Sequence, residues 1–131
     1  MTWLFAYGTL LPAQPRWHHL APFVVDEGTP DAAFGTLFDT GQGYPAATFG
    51  GARRILGRSF ALVDDRLDEA LAVLDEVEGA VAGLYRRVEV VTASGLTASA
   101  YAYGGGLELE PIEHGSWIEH LDARRASGSQ R

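Results

Sequence analysis

The sequence predicts an α+β protein, a small mixed β-barrel of about six strands with one principal helix. Short runs of apolar and aromatic residues alternate with glycine and proline along most of the chain, which is typical of strands joined by turns. One stretch, residues 65–78, instead combines helical periodicity with an absence of glycine and proline. At 131 residues the chain fits a single domain, which we assign to residues 1–125.

Glycine and proline separate most of the predicted strands. The strands comprise residues 2–7, which end at Gly8, then Phe23–Asp26, Ala33–Phe38, Arg54–Val63, Tyr85–Thr92 and Leu96–Tyr103. The last two form a hairpin that ends before Gly104–Gly106, and Gly57 predicts a bulge or a close backbone approach. Residues 41–51 contain four glycines, so we expect a loop or an irregular edge there.

The two predicted helices each have a polar residue where a cap would lie. Asp64 or Asp65 is expected to cap the helix over residues 65–78. Ser116 is expected to cap a short final helix that ends at Leu121. Residues 126–131 are small and polar, and we expect them to form a frayed tail.

The composition excludes several classes of function. A formal net charge of −7 argues against nucleic acid and against an anionic membrane surface. All ten basic residues are arginine and there is no cysteine, which excludes lysine Schiff-base and thiolate chemistry. The N-terminus lacks the pattern of a signal peptide, so we expect a cytoplasmic protein. No metal site or cofactor is predicted, because no ligand spacing relates His18, His19, His114 and His120.

Glu78 is a misfit in the pattern of the principal helix. At about 100° per residue, one side of the helix is apolar, and Glu78 lies near its middle, four residues after Leu74. A carboxylate that points at a core is costly, and burial raises its pKa toward the range useful for proton transfer near neutral pH. The alternative is that the helix ends at Val77 and leaves Glu78 exposed before Gly79.

The tetrapeptide Tyr7–Gly8–Thr9–Leu10 lies where the first strand ends. Gly8 permits a sharp turn and a close approach of a ligand to the backbone. Successive N–H groups in such a turn can hold a carboxylate or a developing oxyanion. An ordinary strand-ending turn is the alternative interpretation.

Taken together, these segments resemble the γ-glutamylcyclotransferase-like family, which includes γ-glutamylamine cyclotransferases, BtrG-type enzymes and plant AIG2-like proteins. FAYGTLL at Phe5–Leu11 is similar to the YGTL signature of that family, and LDEVEG at Leu74–Gly79 is similar to its LDxxEG motif. Later segments resemble the family in the same order, namely Leu84–Val91, Ala100–Tyr103 and His114–Trp117. The resemblance spans nearly the whole chain.

The resemblance implies a reaction and a set of site residues. Glu78 matches the glutamate that acts as general acid and base in the family. The loop residues Tyr7, Gly8, Thr9 and Leu10 would hold the substrate, and Tyr85 would be a further contact. The implied reaction closes a γ-glutamyl group into 5-oxoproline and releases the attached amine, without metal or cofactor. Neither the leaving amine nor the oligomeric state is indicated by the sequence.

A rival interpretation comes from another class of protein. The same fold could be a non-catalytic binding module for a small amino-acid-like metabolite, with Glu78 holding an ammonium group. A surface-interaction domain would instead have no pocket around Glu78. Arg86 and Arg87 are expected on a solvated strand surface, with a place at the site as the alternative.

Overall fold

A computed structural model describes residues 2–79, 85–103 and 109–128, and its strands form one curled sheet. In this part of the chain the sheet has six strands in the order β4-β5-β1-β3-β2-β6. The strands are β1 Trp3–Ala6, β2 Thr29–Asp39, β3 Pro45–Ala61, β4 Tyr85–Val91, β5 Thr97–Tyr103 and β6 Glu110–Ile112. β1 runs parallel to β5 and the other neighbours pair antiparallel, so the sheet is mixed. The predicted α+β class is confirmed.

Three α-helices accompany the sheet in the described residues: α1 Trp17–Leu20, α2 Leu67–Val77 and α3 Trp117–Gly128. A 3₁₀ turn, Asp64–Arg66, leads into α2, and neither predicted aspartate caps it with a side-chain hydrogen bond. The Ser116 cap is confirmed, because its Oγ accepts the Glu119 N–H at 3.2 Å. The predicted end at Leu121 is wrong, since α3 continues to Gly128. The last residues of the predicted tail, 129–131, lie outside the described part of the chain.

One predicted strand is absent, and one observed strand was not predicted. The segment Phe23–Asp26 is not a strand: a 3₁₀ turn covers Ala21–Phe23, and Val24 makes only an isolated bridge to Leu62. Pro22 at the start of that turn favours helical over extended backbone. The six-strand total still holds because β6, a three-residue strand that we did not predict, pairs with the end of β2.

β3 begins much earlier than predicted and absorbs most of the segment expected to be a loop. It starts at Pro45 and pairs with β2 as far as Ser59, apart from residues 50–53, which have no β2 partner at the register shift between Phe34 and Gly35. Gly50 and Gly51 have positive φ values of 116° and 86°, so these glycines form a bulge in a continuous strand. The close approach predicted at Gly57 is confirmed, because a Cβ there would lie 2.1 Å from the Ala6 carbonyl oxygen.

Hydrogen bonds hold the β4–β5 turn against β2 and curl the sheet. Ala33 forms an isolated bridge with Thr92, and the Asp31 carboxylate accepts hydrogen bonds from the hydroxyls of Ser59 and Ser94, each at 2.6 Å. Burial alone would raise the pKa of Asp31, but these hydrogen bonds outweigh it and lower the pKa to about 2. The charged carboxylate therefore helps to hold the hairpin in place.

The central strand β1 is buried on both faces, and the side chains of its residues alternate between two apolar clusters. Leu4 belongs to the cluster that includes Leu74 of α2, whereas Phe5 belongs to the cluster that includes Trp117 of α3. This arrangement sets the end of β1 beneath the last turn of α2. None of the helices in the described residues is long and apolar enough to cross a membrane.

Candidate active site

Glu78 is largely buried although α2 formally ends one residue before it. Its backbone keeps right-handed helical angles, with φ −81° and ψ −3°, and its N–H donates to the Leu74 carbonyl oxygen at 2.9 Å. The side chain is therefore carried on the apolar side of the helix and is only 12% exposed. Gly79, with a φ of 72°, ends the turn. The alternative of an exposed Glu78 was right about the end of the helix and wrong about the side chain.

The electrostatics of Glu78 are dominated by its burial. Desolvation penalises the charged carboxylate and raises its pKa to about 7. The Arg16 guanidinium opposes this shift, but its Nη1 atom lies 3.9 Å from Glu78 Oε2, beyond hydrogen-bonding distance. The carboxyl group can therefore hold or release a proton near neutral pH.

In the loop after β1, carbonyl groups accept the hydrogen bonds that turn the chain, and the N–H groups of residues 8–10 remain available to other partners. Gly8 O accepts the Leu11 N–H at 3.1 Å, and Thr9 O accepts the Arg16 N–H at 2.8 Å. Among the described residues, no hydrogen bond has the N–H of Gly8, Thr9 or Leu10 as its donor. Backbone donors of this kind in a concave site suit a carboxylate or an oxyanion.

Gly8 is required by a close approach rather than by unusual backbone angles. Its φ is not in the left-handed region, and a Cβ at this position would lie 2.5 Å from Cγ of Pro45. Our expectation that Gly8 makes a sharp turn possible is therefore replaced by a steric reason. The first residue of β3 packs directly against the loop.

The predicted site residues all line one small pocket, with about 20 Å³ of space open to water. They are Tyr7, Gly8, Thr9, Leu10, Glu78 and Tyr85. The sequence did not single out Tyr44, Pro45 and Tyr101, which also line it. The sequence did contain a signal for Tyr101. It lies two residues before Tyr103 in the same predicted strand, so the two tyrosines share a strand face.

All five tyrosines of the chain lie at or beside this pocket, and most of their hydroxyls are already bonded. Tyr7 donates to the Tyr101 carbonyl oxygen, Tyr85 to Pro45 O at 2.7 Å, and Tyr101 to Asp75 Oδ1 at 2.6 Å. Burial raises the pKa values of Tyr7, Tyr85 and Tyr101, so these phenols stay neutral. Tyr85 thus braces the wall of the pocket through Pro45.

The remaining candidates lie elsewhere. His18 and His19 stack on each other, and His120 Nε2 pairs with Asp39 Oδ2 at 2.7 Å, where it ties α3 to β2. Arg87 lies 3.3 Å from Asp75 and Arg86 is exposed. Within the described ranges, no three histidine, aspartate or glutamate side chains come together as possible metal ligands.

The fold of this chain, a curled mixed sheet with accompanying helices, has counterparts of known structure. An uncharacterised protein of Pyrococcus horikoshii aligns with a TM-score of 0.71 and 21% identity, over 95% of this chain and 98% of its own. A γ-glutamyl cyclotransferase aligns with a TM-score of 0.60 and 18% identity, over 95% and 86%. A mouse AIG2-like protein aligns with a TM-score of 0.58 and 15% identity, over 89% and 88%.

These structural similarities establish the fold, and a comparison of sequence establishes the family. The model of the family described as gamma-glutamyl cyclotransferase, AIG2-like, matches residues 4–119. The chain therefore belongs to that family. No curated protein matches the chain.

Proposed function

We propose that the protein is an enzyme that cyclises a γ-glutamyl group to 5-oxoproline and releases the attached amine. The observation that carries the proposal is the position of Glu78, a buried carboxyl group with a pKa near 7 in a pocket that also contains the loop 7–10. A general base works best when its pKa lies near the operating pH. Family membership supports a cyclotransferase-type activity.

The reaction needs only the substrate and one group that accepts and returns a proton. The α-amine nitrogen of the γ-glutamyl group attacks its own γ-carbonyl carbon, and the new carbon–nitrogen bond closes a five-membered lactam. Glu78 takes the proton that the attacking amine loses. The original amide bond then breaks, and Glu78 delivers that proton to the departing nitrogen. No water, oxidant or external nucleophile is consumed.

The loop would restrain the substrate in the folded shape that this attack requires. The N–H groups of Gly8, Thr9 and Leu10 would donate to the substrate carboxylate or to the oxygen that becomes negative during the attack. A substrate whose amine is held close to the carbonyl carbon no longer has to find the reactive geometry by chance, and this restriction can supply much of the rate enhancement. The neutral tyrosines around the pocket would limit access of water to the carboxyl group.

The test is a panel of γ-glutamyl amino acids, peptides and amines, with 5-oxoproline measured by mass spectrometry. We expect release of 5-oxoproline and the free amine in equal amounts from at least one compound. The matched control is the same compound with its α-amine acetylated, which cannot attack and should give no product. Tight binding without 5-oxoproline from any member of the panel would replace the enzyme with the binding module.

A further inference from the structure

Arg16 stands at the edge of the pocket, held there by both its backbone and its side chain. Its N–H donates to Thr9 O at 2.8 Å, which fixes it to the loop that faces Glu78. Its Nη1 donates to the Val77 carbonyl oxygen at 3.2 Å, and its guanidinium carbon lies 5.7 Å from the centre of the Tyr44 ring. The cation is thus placed between a pocket tyrosine and the end of α2.

Much of the hydrogen-bonding capacity of Arg16 is not used within the described residues. A guanidinium has five N–H donors. In the described part of the chain its side chain makes a single hydrogen bond, the one to Val77, and its ion pair with Glu78 is too long to be another. The Arg16 side chain is 34% exposed, so an incoming group can reach it, whereas Glu78 is 12% exposed.

Arg87, on β4 with the pocket residue Tyr85, is more fully engaged. Arg87 lies 3.3 Å from the Asp75 carboxylate, which also accepts the Tyr101 hydroxyl. Its charge is therefore balanced locally, in a short pair with a carboxylate. Arg16 has only the longer pair with Glu78, whose carboxyl group is neutral once it has taken a proton. A proton on Glu78 would leave the Arg16 charge without its partner.

We infer, on the basis of the proposed function, that Arg16 binds a carboxylate carried by the leaving amine. The preferred substrates are then γ-glutamyl amino acids and peptides rather than γ-glutamyl amines. Arginine pairs with carboxylates through two parallel hydrogen bonds and repels cationic amines. The chain as a whole has a formal net charge of −7 and does not favour an anionic substrate, so local recognition by a cation is needed.

The position of Arg16 separates the two ends of the substrate. Gly8, Thr9 and Leu10 line the pocket itself, where the reacting γ-glutamyl group would sit. Arg16 lies beside Tyr44, outside the residues that line the pocket, where a group that extends from a substrate in the pocket would meet it. The guanidinium therefore suits the part of the substrate that leaves.

The test compares γ-glutamyl-alanine with γ-glutamyl-ethylamide, which differ by one carboxylate on the leaving amine. We expect the wild-type kcat/KM to favour the alanine compound by about tenfold or more, as one charge-assisted pair can supply. Arg16→Gln should bring the ratio close to one, chiefly through a higher KM for γ-glutamyl-alanine. Arg16→Lys keeps the charge and should retain part of the preference. Arg66→Gln, at the other end of α2, should leave the ratio unchanged.

The ratio of the two substrates distinguishes this inference from other roles of Arg16. An equal loss on both substrates in Arg16→Gln would place the residue on the part that the substrates share, or on Glu78 itself, and would overturn the inference. A wild-type enzyme that forms 5-oxoproline from both compounds equally well would also overturn it. No 5-oxoproline from either compound, or from the wider γ-glutamyl panel, would instead overturn the proposed function on which it rests.

Discussion

Under the proposed mechanism Glu78 meets two opposing demands, since its carboxyl group must be buried to be reactive and charged to act as a base. The side chain is 12% exposed, and burial rather than a hydrogen-bonded partner controls its pKa. Arg16 lowers the pKa from 3.9 Å away without cancelling that effect. Glu78 should therefore reduce stability when it is ionised, and that cost is measurable.

The pH dependence of stability tests the burial of Glu78. Below about pH 4.5 the group is protonated in both the folded and the unfolded chain, so it imposes no cost of ionisation. Between about pH 4.5 and pH 7 the carboxyl group ionises in the unfolded chain but stays protonated in the folded chain, so the free energy of unfolding falls as the pH rises. The full loss, about 3 kcal/mol, is reached above pH 7. Glu78→Gln stays neutral, and its stability relative to wild type should rise by up to that amount between pH 4 and pH 8.

Urea unfolding of both proteins at pH 4, 6 and 8 measures this difference. Glu76→Gln is the matched control, because Glu76 is exposed on the same helix and its replacement should give no such trend. A difference between wild type and Glu78→Gln that does not change with pH would mean that the Glu78 carboxyl group titrates normally in the folded protein.

The sequence predicts the polar residues of the pocket better than its walls. Glu78 and Gly8 can be identified locally, one by its spacing from Leu74 and the other by the strand that it ends. Tyr44 and Tyr101 reach the pocket, and Arg16 reaches its edge, only through the pairing of β1 with β5 and β3 and through the return of the chain after the loop. No local pattern encodes contacts between residues so far apart in the chain.

Among the elements, the contact between the loop after β1 and the start of β3 holds the pocket together. Gly8 packs on the Pro45 ring, and the Pro45 carbonyl oxygen accepts the Tyr85 hydroxyl at 2.7 Å. One residue of β3 therefore connects the loop to β4. A displacement of the strand start would move two walls of the pocket at once.

Gly8→Ala tests this contact. A Cβ would lie 2.5 Å from Cγ of Pro45, so the loop or the strand must shift. We expect kcat/KM for a γ-glutamyl substrate to fall by at least about tenfold, and stability to fall by about 1–3 kcal/mol, as for other overpacked sites. Steady-state kinetics and urea unfolding measure the two effects.

A double-mutant cycle with Pro45→Ala supplies the control, since removal of the ring makes room for the new methyl group. The double variant should recover part of the loss seen in Gly8→Ala. Additive losses, or a fully active Gly8→Ala, would show that the close packing of Gly8 on Pro45 has no functional consequence.

The elements that the sequence identifies are those with local signals. The β4–β5 hairpin, the strand before Gly8 and α2 each have periodic residues and clear ends, and all three are found. β3 was predicted too short because Gly50 and Gly51 resemble a loop, whereas they lie in a bulge, residues 50–53, flanked on both sides by pairing with β2. β6 has three residues and depends on β2 for its pairing, so no periodicity reveals it.

On the scale of the whole molecule, the chain brings together a curled sheet, an acidic surface and a pocket whose chemistry rests on carboxylate, phenol and backbone groups. There is no cysteine and no lysine anywhere in the sequence. Intramolecular attack by the α-amine of the substrate uses neither a protein nucleophile nor a Lewis acid. The proposed reaction therefore suits the side chains that this sequence contains.

Metal independence is the corresponding prediction for the whole protein. We expect turnover of a γ-glutamyl substrate to survive exhaustive dialysis against EDTA, with kcat changed by less than about twofold, because proton transfer by Glu78 and positioning by the loop need no metal ion. The measurement is 5-oxoproline release before and after chelation. Loss of activity that an added divalent metal restores would contradict the metal-free mechanism.

The most direct test of the central claim is the turnover of Glu78→Gln on a substrate from which the wild-type protein releases 5-oxoproline. Glutamine keeps the size and much of the hydrogen bonding of glutamate but cannot exchange a proton in the same way. Positioned proton transfer contributes about 10²–10⁴ to a rate, so kcat should fall by about 100-fold or more, with KM changed far less. Full activity of a folded Glu78→Gln protein would remove Glu78 from the mechanism.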